Sequence, residues 1–197
     1  QENPVTSYGR SKLEAEKVAK SYANELPVTI LRPTGIYGPR DQEILEVFKS
    51  VKRGVLPLTG DGKSLLTLVY GPDAARACIA AIEADVMSGS TFFVTDGEVY
   101  DQRTMMEAVE RAVGKKALFR LGVPLGVIKA AARVVEAYGK ATDKAVMLTR
   151  EKANMLSYPY WVCNSDDTKK ALGWAPEVTW ADGAAKTARW YSENGWI

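Results

Sequence analysis

The chain has 197 residues, of which 46% are hydrophobic and 25% charged; this composition is typical of a folded globular protein and excludes disorder and fibrous repeats. Its 26 lysines and arginines against 24 aspartates and glutamates leave a net charge of +2, without the basic patch of a nucleic-acid partner. The sequence contains no histidine, which excludes Ser-His and Cys-His nucleophilic pairs and His-bearing metal sites. We therefore expect no metal centre and no nucleic-acid binding.

Two features bear on the compartment of the protein. Cys78 and Cys163 lie far apart in periodic apolar segments, and the simplest interpretation is two buried thiols in a reducing compartment. The sequence offers no apolar run of about eighteen residues and no signal-peptide pattern. We expect a cytoplasmic protein with no membrane span.

The first predicted element is an amphipathic helix over residues 4–26, with Asn3 as its N-cap and Pro4 at its first position. Because the sequence enters this helix directly from Gln1, without a preceding strand, it is expected to be a piece of a longer protein. An apolar run at 28–31 predicts a short, buried parallel strand.

The rest of the chain alternates between extended and helical patterns and then becomes mostly helical. A loop rich in Gly and Pro at 33–40 follows the strand, and Asp73 is expected to cap a helix that runs through Glu83. Other helices are predicted near residues 42–53, 102–113, 124–138, 149–156, 165–172 and 180–194, and extended segments near 65–70 and 91–95. This order predicts an α/β fold, namely the second half of a doubly wound parallel sheet interwoven with a helical lobe.

Tyr8 and Lys12 are the candidate catalytic residues. They stand four apart on the first predicted helix, so both side chains project from one face of it. Free tyrosine titrates near pH 10, and an ammonium group one turn away favours the phenolate that acid/base chemistry at neutral pH requires. An isolated Tyr-x-x-x-Lys spacing is commonly just a solvated surface pair, so the context of the pair decides its meaning.

The helix sequence SYGRSK, residues 7–12, leads directly into TILRPTGIYGPRD, residues 29–41. Together these segments resemble the extended short-chain dehydrogenase/reductase family, which includes the NAD-dependent epimerases/dehydratases and the 3β-hydroxysteroid dehydrogenase-like enzymes. The resemblance continues in GDGKSLLTLVYGPDAARA at 60–77 and in ALGW and RWYSENGW near the end. It implies the C-terminal half of a Rossmann-like sheet within about 1–120 and a mostly helical substrate-binding lobe within 121–197, with no clean boundary.

The resemblance also implies roles for particular residues. Tyr8 would exchange a proton with a substrate hydroxyl or carbonyl, and Lys12 would assist it and bind the ribose of NAD or NADP. The nicotinamide would lie against Pro33, Thr34, Gly35 and Ile36. The whole protein is expected to be an NAD(P)-dependent oxidoreductase of a secondary alcohol or ketone, acting on a small-molecule substrate.

The family's glycine-rich phosphate-binding turn does not occur in this sequence. Gly60 and Gly62 are followed by Leu65 rather than by a third glycine, and they predict an ordinary turn. We therefore expect this fragment alone to be inactive. If residues 28–31 form a central strand of the parent sheet, its open edge favours self-association into a homo-oligomer.

The substrate class remains open between two enzyme types. Nucleotide-sugar epimerases of the family place an arginine on the substrate pyrophosphate seven residues before the aspartate that matches Asp73, and this sequence has Leu66 there. A leucine cannot bind phosphate, which favours a less charged, more apolar substrate. Lys63 lies close enough to keep a nucleotide-sugar epimerase or dehydratase as the alternative. A non-catalytic, cofactor-sensing relative is a second alternative, although such a protein has no need of Tyr8 and Lys12.

Overall fold

A computed structural model describes residues 3–144, 146 and 148–197 of the chain. Gln1, from which the sequence is expected to enter the first helix directly, lies outside the described residues. The helices are α1 (Ser7–Ser21), α2 (Gln42–Lys52), α3 (Gly71–Glu83), α4 (Gln102–Val113), α5 (Leu125–Thr142), α6 (Arg150–Met155), α7 (Asp166–Leu172) and α8 (Trp180–Glu193). The strands are β1 (Thr29–Pro33), β2 (Gly35–Tyr37), β3 (Val55–Thr59), β4 (Leu65–Leu66), β5 (Leu68–Tyr70), β6 (Ser90–Val94), β7 (Tyr100–Asp101), β8 (Phe119–Val123) and β9 (Tyr160–Trp161).

The strands pair mainly in parallel. β1 pairs with β6, β2 with β5 and β3 with β8, all in parallel register. β4 lies between β7, which is antiparallel to it, and β9, which is parallel to it. The predicted parallel strand is thus confirmed as β1. The segment after it, predicted as a loop over 33–40, contains the short strand β2.

The sequence pattern did not predict two of the paired strands, β3 and β8. β3 contains Pro57, and β8 is mostly exposed and contains Arg120 and Gly122. Neither has the alternating apolar pattern of an amphipathic strand. A Cβ at Gly122 would lie 2.9 Å from the backbone oxygen of Gly60, so this glycine allows β8 to pass close to the turn after β3.

The first helix is shorter than the predicted 4–26. It begins at Ser7 because Thr6, rather than Asn3, is its N-cap: the Thr6 hydroxyl oxygen accepts a hydrogen bond of 2.9 Å from the Gly9 amide. A threonine in extended conformation satisfies one of the free amides of the first turn in this way.

Asp73 and the cysteines also differ from expectation. Asp73 is fully buried inside the first turn of α3, whose N-cap is Tyr70. Cys78 is exposed and Cys163 is half-buried, so the prediction of two buried thiols is wrong. On a helix each residue is turned by about 100° from the last, and Ala77 takes the buried direction while Cys78 points outward.

The main core lies between α2, α4 and α8, beside the paired strands β2 and β5. Its largest fully buried side chains are Phe48, Trp180 and Tyr191, and burial of such a side chain contributes about 1.5–3 kcal/mol. Met105 of α4 belongs to this core and also lines the cavity described below. The core therefore fixes one wall of the candidate site.

The helix predicted over 124–138 buries only part of its apolar surface. Ile128 and Val135 are half-buried, whereas Val127, Ala131, Val134 and Tyr138 are exposed. The inward stripe of α5 instead runs through Ile128, Ala132, Val135 and Gly139. These residues recur at three- and four-residue spacing and include the buried Ala132 and Gly139, which allow close approach. Among the described residues, the structure has no helix long and apolar enough to cross a membrane.

Candidate functional site

A cavity among the described residues has a volume of about 960 Å³; we call it the main cavity. One end is formed by residues 32–35, at the carboxyl end of β1. Ligands of parallel α/β sheets bind outside the carboxyl ends of the strands. The volume lies at the upper end of the range for small-molecule sites, so the main cavity can hold a sizeable ligand.

Three of the four residues expected to line a nicotinamide lie here. Pro33, Thr34 and Gly35 line the main cavity, with Pro33 and Gly35 exposed. The Thr34 amide donates to the Val94 carbonyl at 3.0 Å, which fixes the loop to β6. Ile36 is 52% exposed but does not line the cavity.

A second wall is aromatic and comes from the segment after α6. Tyr158, Tyr160 and Trp161 line the cavity, and the Trp161 indole N–H donates to the Met155 carbonyl at 3.3 Å. The parallel pairing of β4 with β9 holds this segment in place, and the Thr67 amide extends it by donating to the Trp161 carbonyl at 3.0 Å.

The remaining lining is mainly aliphatic and sulfur-containing. It includes Met105, Met106, Ile128, Met155 and Leu156. Methionine side chains are flexible and adapt to ligands of different shape. The three methionines were not singled out from the sequence, because each carries the ordinary signal of a core position.

Arg32 is the one charged residue among the described residues that line the main cavity. Its guanidinium donates to both carboxylate oxygens of Glu16 on α1, with N···O distances of 2.6–3.1 Å, and lies 5.6 Å from the centre of the Phe93 ring. Both charged side chains are at least three-quarters buried. The pair ties α1 to the edge of the cavity and offsets the positive charge there.

Tyr8 and Lys12 lie on α1, one turn apart and both exposed, Tyr8 to 72%. Neither is among the residues that line the main cavity. The structure therefore brings residues 33–35 together in the cavity and places the Tyr8–Lys12 pair on the neighbouring helix, with both polar heads open to a ligand.

The two residues considered for phosphate binding differ in their position relative to the main cavity. Leu66 is half-buried and lines the main cavity. Lys63 lies in the turn before it, outside the lining, and its ammonium group forms an exposed ion pair of 3.4 Å with Asp61. The Lys63 amide donates to the Asp61 carboxylate and lowers the pKa of this group. The position of the family's phosphate-binding arginine is thus an apolar part of the cavity wall.

Cys163 offers no activated thiol to this site. Its side chain lines the main cavity, and burial raises the pKa of the thiol above its ordinary value. The thiolate is the nucleophilic form, so Cys163 stays protonated and acts as a small apolar lining group.

Residues 1–94 match the model of the NAD dependent epimerase/dehydratase family. This match, over just under half of the chain, agrees with the family resemblance that the sequence indicates. Over its whole length the chain is 28% identical to a ceramide reductase of Caulobacter vibrioides, of which it covers 60%. It is also 28% identical to a UDP-glucose 4-epimerase of Vibrio cholerae, with 94% of this chain and 54% of the relative aligned.

The fold agrees with solved structures. A UDP-glucuronic acid 4-epimerase from Bacillus cereus, solved in complex with NAD, superposes with a TM-score of 0.74 at 18% identity, covering 98% of this chain and 55% of that structure. The expected Rossmann-like α/β fold is thereby confirmed. The chain spans about half the length of the curated relatives that it matches, and the division near residue 120 stays a prediction.

Proposed function

We propose that the protein containing this chain is an NAD(P)-dependent oxidoreductase that interconverts a secondary alcohol and a ketone, with Tyr8 as the acid/base. One observation carries the proposal: the helix bearing Tyr8 and Lys12 is tied by the Glu16–Arg32 pair to the carboxyl end of β1, where residues 33–35 open into a large cavity. The family match of residues 1–94 covers the helix, the ion pair and residues 33–35.

The residues of this chain fit the nicotinamide end of such a cofactor. Pro33 and Gly35 expose backbone and apolar surface at the carboxyl end of a parallel strand, which suits a flat ring. Lys12 presents an exposed ammonium group one turn from Tyr8, and this group would donate to a ribose hydroxyl of the cofactor. When bound, NAD(P)H supplies the hydride that the carbonyl carbon of the substrate accepts.

Tyr8 supplies the matching proton. In the reducing direction its phenol O–H bond breaks as the carbonyl oxygen of the ketone takes the proton, and the product is a secondary alcohol. Lys12 stabilises the negative charge left on the phenol oxygen, because an ammonium group nearby favours the phenolate. Solvent then returns a proton to Tyr8, and the reverse sequence oxidises the alcohol.

The lining of the main cavity favours an apolar substrate. A nucleotide sugar carries a diphosphate, which binding sites usually neutralise with arginine or lysine. Arg32 is the one charged lining residue of the described chain, and Glu16 already pairs with it. Transfer of an unneutralised diphosphate into such surroundings is unfavourable, whereas an apolar ketone gains from every apolar contact.

The replacement Tyr8→Phe in the full-length protein tests the catalytic assignment. We expect turnover to fall about 10²- to 10⁴-fold, the usual contribution of a positioned acid/base, with the dissociation constant of NAD(P)H unchanged. Tyr22→Phe is the matched control, since Tyr22 is an exposed tyrosine of α1's C-terminal end. Unchanged turnover in Tyr8→Phe would remove the assignment.

The substrate class is tested by the small molecules that the full-length protein retains. Mass spectrometry of gently purified protein should find an apolar alcohol or ketone. A retained nucleotide sugar would favour the alternative, a nucleotide-sugar epimerase or dehydratase, which uses the same hydride and proton transfers. Dinucleotide alone, together with no effect of Tyr8→Phe on any turnover, would favour a cofactor-sensing protein.

A further inference from the structure

The position of α1 on the rest of the described chain depends largely on polar contacts. None of its residues is fully buried among the described residues, and its half-buried apolar side chains include Leu13 and Ala19. Few packed side chains of the described chain therefore oppose small changes in its orientation. The polar contacts on either side of the Tyr8–Lys12 pair thus help to decide where Tyr8 points.

Two charged side chains hold α1 on either side of the Tyr8–Lys12 pair. Glu16, one turn beyond Lys12, binds Arg32 at the cavity edge. At the other end, Glu151 of α6 contacts the first residue of the helix. The catalytic pair thus lies between one anchor on β1 and one on α6.

Glu151 acts as a cap supplied from another element. Its carboxylate oxygens accept the Ser7 amide at 3.1 and 3.2 Å and the Ser7 hydroxyl at 2.7 Å. The first turn of α1 contains no acidic residue of its own, and a carboxylate at a helix N-terminus interacts favourably with the free amides and the helix dipole. The bonds from Ser7 lower the pKa of Glu151, so it remains ionised at neutral pH.

The helix that carries this glutamate contributes to a wall of the main cavity. This helix, α6, contributes Met155 to the lining, and Leu156 follows directly. The preceding residue, Arg150, is fixed to α5 because its guanidinium and amide both donate to Glu136, at 2.9–3.2 Å. A ligand that packs against Met155 therefore contacts α6. The same helix carries Glu151, which binds Ser7, the residue before Tyr8.

We infer that Glu151 is a positioning residue for Tyr8: it couples the substrate-contacting wall α6 to the N-terminus of the catalytic helix. This inference rests on the proposed role of Tyr8. Glu151 exchanges no proton with the substrate; it fixes the backbone from which the phenol projects. Loss of the anchor should lower turnover without weakening cofactor binding.

The test is a double-mutant cycle in the full-length protein. Glu151→Ala should lower kcat about 10- to 100-fold, as expected when a catalytic group is displaced by about 1 Å, while the KM for NAD(P)H stays within about twofold. Glu151→Gln should recover most of the activity, because an amide oxygen still accepts hydrogen bonds from Ser7. In the Tyr8→Phe background, Glu151→Ala should have no further effect on the residual turnover.

Glu43→Gln is the matched control. Glu43 forms an exposed ion pair of 3.2 Å with Lys152, the neighbour of Glu151 on α6, so this variant disturbs the same helix without touching α1. Its kcat should equal that of the parent protein. Hydrogen exchange should be faster at the amides of residues 7–10 in Glu151→Ala, and unchanged there in Glu43→Gln.

The outcomes separate this inference from the proposed function. If Tyr8→Phe is fully active, the proposed function fails and the inference fails with it. If Tyr8→Phe is impaired but Glu151→Ala keeps the kcat of the parent protein, Glu151 does not act through Tyr8. The same conclusion follows if the losses of turnover from the two single replacements multiply in the double variant. If Glu151→Ala does not fold, the same comparisons are made with Ser7→Ala and Glu151→Gln. Ser7→Ala should lower kcat, whereas the kcat of Glu151→Gln should remain close to that of the parent protein.

Discussion

At the scale of single residues, Asp73 is a buried carboxylate that joins two distant parts of the chain. One of its oxygens accepts the amides of Glu177 and Val178, each at 3.0 Å, and the other lies 2.9 Å from the guanidinium of Arg76. These bonds fix the segment leading into α8 against the start of α3. The carboxylate itself is fully buried, so the protein groups around it supply its hydrogen bonds.

We predict that Asp73→Ala destabilises the protein by about 2–4 kcal/mol, since it leaves two amides without their acceptor and removes one of the two carboxylates that pair with Arg76. Urea unfolding followed by tryptophan fluorescence measures this loss. Asp85→Ala, at an exposed position just after the same helix, should change the stability by less than about 0.5 kcal/mol. Equal stability of the two variants would show that the buried network contributes little.

At the scale of elements, α8 packs on the core through a glycine. A Cβ at Gly183 would lie 2.0 Å from the Tyr37 hydroxyl oxygen and 2.7 Å from its ring. The Tyr37 hydroxyl donates to the Thr179 carbonyl at 3.2 Å, and burial raises the pKa of this phenol far above its ordinary value, so it remains a donor. The helix and the ring are therefore in contact along a surface that leaves no room for a methyl group.

We predict opposite effects for two glycine replacements in helices. Gly183→Ala should destabilise the protein by about 1–3 kcal/mol, because α8 must shift away from Tyr37. Gly126→Ala in α5 should stabilise it by about 0.4–1 kcal/mol, because its added methyl group meets no atom within 4 Å and alanine restricts the unfolded chain. Thermal unfolding of both variants checks the pair, and a stable Gly183→Ala protein would contradict the packing argument.

Elements with local signals could be predicted from the sequence, and elements that depend on distant partners could not. α4 was predicted at its observed limits because Gly114, with a φ of +68°, ends it. β3 and β8 form only because they pair with each other. The same division holds in the site: the spacing of Tyr8 and Lys12 is local, whereas Glu151 contacts Ser7 across 144 residues of sequence and carries no signal in its own neighbourhood.

At the scale of the whole molecule, the described chain presents both open backbone and exposed apolar surface. Among the described residues β1 has a single strand neighbour, β6, so its other edge can accept a further strand. Near the start of β1, a groove of about 510 Å³ is lined by residues that include Leu31 and Ile82. The apolar residues Val18, Tyr22 and Leu26 on and after α1 are each about half exposed or more.

We predict that the 197-residue chain self-associates as its concentration rises. The net charge of +2 provides little repulsion between copies, and burial of the groove residues on a second copy releases apolar surface from water. Sedimentation velocity over a range of concentrations should show a growing fraction of dimers or larger species. Ile82→Lys should reduce this fraction because Ile82 is 84% exposed at the groove, whereas Val134→Lys, at an exposed position on α5, should leave it unchanged. A monomer at every concentration, or equal effects of the two lysines, would mean that the open edge and the groove do not govern association.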